Sequence, residues 1–169
     1  MARMNFTGCE ELSEKILALG NDAESIAKMA LYDGAGIVAE SLKQAVDELE
    51  VEDFHPLPGA PNDGYYGPLT VLTEDDREDM KAGIGIAKFE NKNGAITTAV
   101  AFNGYSRHKS KEFPNGIPLA VIARSIESGS SARAKQPFVR PMANRIKTLV
   151  QNAMIRAAEN GMNKTTGGT

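Results

Sequence analysis

A chain of 169 residues, 41% hydrophobic and 24% charged, has the size and composition of one folded domain and not of a disordered chain. Its formal charge of −3 at pH 7 supplies no basic excess of the kind that general phosphate binding requires. A lone Cys9 can form no internal disulfide, and residues 1–8 lack a signal-peptide core. The apolar runs are shorter than a membrane span, so a reduced cytoplasm and no membrane are expected. Charge is unevenly spread: residues 10–53 hold twelve acidic and three basic side chains, residues 104–169 eleven basic and three acidic. Either the halves neutralise each other within one chain, or opposite surfaces meet between subunits.

In chain order, residues 2–7 could add a strand, and Leu12, Ile16 and Leu19 mark a helix ended by Gly20. Asn21 and Asp22 then open a long amphipathic helix over 21–50, with Ile26, Ala30, Gly34, Ile37, Ser41, Ala45 and Leu49 as its inner stripe. Gly34 and Gly36 each cost about 1 kcal/mol against Ala in a helix, which predicts a close crossing of another backbone at both. Residues 52–69, rich in Pro, Gly, Asn and Asp, form a long loop. Thr73 caps a short acidic helix. The apolar positions Ile84, Ile86, Ile96, Val100 and Phe102 flank Asn93-Gly94 as a hairpin. Pro118–Ser128 reads as a helix stopped by Gly129. The last helix carries Val139, Met142, Ala143, Ile146, Leu149, Val150, Ala153, Met154 and Ala157, and residues 161–169 form a flexible tail. The expected fold is α+β over residues 1–160: a small antiparallel sheet centred on the hairpin, packed against a long N-terminal helix and a C-terminal helix.

No catalytic, cofactor or metal motif emerges, so no enzyme is expected. His55 and His108 sit in polar, turn-like contexts that read as surface. Glu74, Asp75, Asp76, Glu78 and Asp79 lack the alternation and turn glycine of a calcium loop and read as a solvated helix face. Gly83-Ile84-Gly85 precedes no helix start that could cradle phosphate. The loop carrying Arg107, Lys109 and Lys111, beside Tyr105 and Phe113, could face DNA, although a solvated loop is the plainer reading. A helix-turn-helix reading of 117–135 breaks at the second helix, because Pro137 leaves only about seven residues where a recognition helix should run.

The string Ile126-Glu127-Ser128-Gly129-Ser130, then Gln136-Pro137-Phe138-Val139-Arg140-Pro141-Met142 and a long helix, resembles tail-component proteins of tailed bacteriophages. Ala27-Lys28-Met29-Ala30-Leu31 followed by Gly34-Ala35-Gly36-Ile37-Val38 resembles that family's long first helix. The similarity is to the head-tail joining, neck and tail-completion proteins of lambdoid-type siphophages. It implies a virion protein assembled in the host cytoplasm as a homo-oligomeric ring, commonly a hexamer. It also implies connector or stopper and tail-tube proteins as partners, with genomic DNA passing through the channel. Glu127, Gly129, Pro137, Phe138, Arg140 and Pro141 become the interface or anchor candidates. Phe138 would anchor the last helix and Arg140 offer a planar donor group. An ordinary helix start with a core Phe explains the same residues. The rival function is a nucleic-acid-associated protein using the basic C-terminal half.

Overall fold

The structure, a computed structural model, describes residues 20–52, 72–109, 113–130 and 134–166. The expected elements over residues 2–19, the loop 53–69, Cys9, His55 and Lys111 lie outside the described residues. Among those described, the fold is α+β, with long first and last helices and short antiparallel strand pairs between them.

A 3-10 turn at Gly20–Asp22 leads into α1 (Ala23–Asp47), and Thr73 caps α2 (Glu74–Ala82). The cap is reciprocal: the Asp76 amide donates to Thr73 Oγ1 at 3.2 Å, while Asp76 Oδ2 accepts from that hydroxyl at 2.7 Å. Strands β1 (Ile84–Ile86) and β4 (Val100–Phe102) pair outside β2 (Glu90–Lys92) and β3 (Ala95–Thr97). Asn93 and Gly94, at φ 55° and 84°, make the tight turn that the Asn-Gly pair predicts. Ala87 donates to the Ala99 carbonyl at 2.8 Å, whereas Glu90 faces Thr97. Lys88 and Phe89 therefore oppose Thr98 alone, and this bulge divides the hairpin into two short ladders. All of β2 is exposed. The helices α3 (Leu119–Ser128) and α4 (Val139–Thr166) complete the chain.

Two compact groups of residues share these elements. The first takes, among those described, residues 42–52, 72–85, 101–109, 113–130 and 134–142. Its fully buried side chains include Val46, Met80, Ile122, Ile126 and Met142, which the apolar faces of α1, α2, α3 and the start of α4 supply.

The second group takes residues 20–41, 86–100 and 143–166 among those described. Ile26 and Ala30 of α1 cluster with Ala157 and Ala158 of α4, and Met154 and Met162 pack beside them. Gly34 is closely approached, though by side chains and not by another backbone, since a Cβ there would stand 2.7 Å from Met154 Cγ. Gly36 is not, because a Cβ there would meet nothing within 4 Å. Two further expectations change. Along α1 the inner face drifts from the Ile37 and Ser41 line to Ala35, Val38, Ala39 and Leu42. The expected stripe takes a three-residue step from Gly34 to Ile37, whereas the buried line continues in fours through Val38 and Leu42, and the two meet again at the buried Ala45 and Leu49. Leu149, expected inside, is 57% exposed, one residue step round the helix from the fully buried Val150. Finally, α4 runs into the stretch expected to fray, since the buried Gly161 lies against Ile26 and Met29.

Candidate functional site

Two carboxylate-centred arrangements stand out, both in the first group of residues. The first joins α3 to the start of α4. An α-helix begins with amides that have no partner inside it, and the first internal bond of α4 is from the Met142 amide to the Phe138 carbonyl, 3.2 Å. Glu127, near the end of α3, supplies what is missing. Its Oε2 accepts the amides of Phe138 at 2.8 Å and Val139 at 2.9 Å, and its Oε1 accepts that of Arg140 at 3.3 Å. Pro141 has no amide hydrogen to satisfy. One carboxylate thus closes the whole amino end of the helix, and its negative charge lies where the helix dipole is positive.

The residues between are arranged to let it do so. Gly129 has φ 75°, a region that favours glycine, so the chain turns directly after α3. The Gln136 amide returns to the Ile126 carbonyl at 2.9 Å. Pro137 is exposed and fixes the approach to the helix. Phe138 is buried, its ring meeting that of Phe102 on β4 edge-on at 6.2 Å between centroids. It ties the start of the last helix to that strand. Pro141 is exposed, and Arg140 projects a side chain 81% exposed, with Nε 3.8 Å from Glu127 Oε1.

The second arrangement gathers the acidic face of α2 around one guanidinium. Arg107 Nε and Nη2 donate to Asp79 Oδ1 at 3.1 and 2.9 Å, Nη1 to Asp75 Oδ1 at 3.0 Å, and Nη2 to Glu78 Oε2 at 3.2 Å. The Arg107 amide adds a bond to Asp79 Oδ2 at 2.7 Å. Hydrogen bonding to Asp79, with the added field of Asp79 and Asp75, holds the guanidinium well above its ordinary pKa. His108 follows, with Nε2 3.7 Å from Asp75 and 3.9 Å from the fully buried Asp76.

This revises the expectation for the basic loop and for His108. Arg107 presents its charge to carboxylates, which would repel a phosphate brought to the same place. Lys109 remains exposed. The side chain of His108 is 23% exposed and beside two carboxylates, a proximity invisible to spacing because α2 and the loop are about thirty residues apart. Among the described residues no group of His, Cys, Asp and Glu is arranged to hold a metal ion, and no helix is long and apolar enough to cross a membrane. Comparison with known proteins finds no matching family model, no matching characterised protein and no matching solved structure.

Proposed function

We propose that this chain is a structural component of a tailed-bacteriophage particle, acting by assembly and not by turnover, at or near the junction of head and tail. The observation that supports the reading best is the Glu127 cap. The strings that carry the resemblance to tail components, Glu127 to Ser130 and Pro137 to Pro141, are joined by hydrogen bonds from three consecutive amides to one carboxylate. Motif residues that cooperate in one local device are a sounder basis for resemblance than short strings matched separately. In this reading the cap and the Phe138 anchor fix the direction of α4, and the exposed flank of that helix, with Arg140 at its start, faces a neighbouring subunit in a ring. The ring would sit among connector or stopper and tail-tube proteins, with the genome passing through its channel.

Deletion of the coding sequence from the phage or prophage that carries it tests this. Electron microscopy of the lysate should show filled heads and finished tails left apart, restored by supplying the chain in trans. Intact particles from the deletion would reject the proposal.

A further inference from the structure

The exposed face of α4 carries Arg145, Leu149, Asn152 and Arg156 at intervals of four, three and four, one stripe along the helix. Leu149 is 57% exposed in the middle of it. Neither arginine forms an ion pair among the described residues. Elsewhere in the chain, the end of α1 runs into Glu48-Leu49-Glu50-Val51-Glu52, in which all three glutamates are exposed and without an ion pair among the described residues. Val51 is 37% exposed. Acidic residues at the carboxyl end of a helix oppose its dipole; α2 answers this at Asp47, whose carbonyl accepts from Arg77 Nη1 at 3.2 Å and whose carboxylate pairs with Lys81, but not at the glutamates beyond it.

We infer that these two surfaces are the halves of one heterologous interface: the acidic segment 48–52 of one copy docks on the Arg145, Leu149, Arg156 stripe of the next. Each surface sets an exposed aliphatic side chain between charges of one sign, with the exposed Glu159 beyond the last arginine of the basic one, and the two signs are opposite, so the chain carries its own complement. Because the two surfaces differ, copies join head to tail, which closes a ring or extends a filament. The inference rests on the assembly reading above and specifies the contact by which copies meet. Nucleic acid is the poorer occupant of the stripe, since Leu149 stands at its centre and the chain is net acidic.

Sedimentation of the full chain over a salt and concentration series tests it, with two charge-reversed variants: Arg145→Glu with Arg156→Glu, and Glu48→Lys with Glu50→Lys. The parent should associate, less so as salt rises. Each variant alone should associate roughly tenfold more weakly, the scale of two exposed ion pairs. Mixing the two variants should restore association, because each then offers the other an opposite surface. All the substituted side chains are exposed, so melting temperatures should stay near the parent's. If the parent associates and both variants match it, the assigned surfaces are wrong while the assembly reading stands. A parent monomeric under every condition overturns self-docking. Loss of binding to duplex DNA in the Arg145→Glu, Arg156→Glu variant, with no self-association in the parent, would assign the stripe to nucleic acid instead.

Discussion

Glu127 accepts the Phe138 amide at 2.8 Å across eleven residues of chain, so the last turn of α3 and the first of α4 are fixed to one another. The carboxylate serves three amides that would otherwise meet poor alternatives, with its own side chain only 13% exposed. Glu127→Ala should therefore destabilise the protein by about 1–3 kcal/mol, the loss of a cap together with desolvated donors. Glu127→Gln keeps an acceptor but loses the charge and should cost less. Denaturant titration of the three proteins gives the order, and equal stabilities would mean that water replaces the cap.

Phe138→Ala removes a buried ring from contact with Phe102 and should cost about 3–5 kcal/mol. The loss should appear as a lowered melting temperature of the isolated chain. A monomer that melts normally while assembly fails would place the ring's main partner on another subunit.

The two glycines of α1 predict opposite responses. Gly36→Ala adds a methyl group in open space and should stabilise by about 0.5–1 kcal/mol through helix propensity. Gly34→Val drives branched bulk into Met154 and Val150 and should cost about 1–3 kcal/mol. Thermal melts of both variants should move in opposite directions.

Arg107 holds its loop to α2 through side-chain and main-chain bonds to Asp79. Because its pKa is raised from an already high value, its own charge contributes throughout the accessible pH range and fades only in strong alkali. Limited proteolysis of Arg107→Ala should cut within 104–115 sooner than in the parent. Unchanged cleavage kinetics would show that the contact does not restrain the loop.

Much of the fold was legible because its signals are local. Thr73 before an acidic run marks a cap, Asn93-Gly94 marks a hairpin turn, and Pro118 and Gly129 bracket α3. The hairpin bulge was not legible, since nothing in the alternation says that Lys88 and Phe89 must share one partner. Nor was Leu149, whose hydropathy matches its buried neighbour Val150 although the helix turns it outward. The candidate site divides in the same way. Pro137 and Pro141 announce a helix start, but the usual cap is a Ser, Thr, Asp or Asn at the first position, and Phe138 cannot serve. The missing acceptor was a clue that another side chain must supply it, and Glu127 is the nearest upstream carboxylate. The Arg107 contact left no such clue, because it joins segments about thirty residues apart by tertiary placement alone.

The assembly reading is tested most directly by counting this chain in purified particles from a strain that encodes it, using quantitative mass spectrometry against labelled peptide standards. A small, fixed copy number per particle is expected, matching one ring and unchanged by further purification. Absence of the chain from particles that are complete and infectious would contradict it.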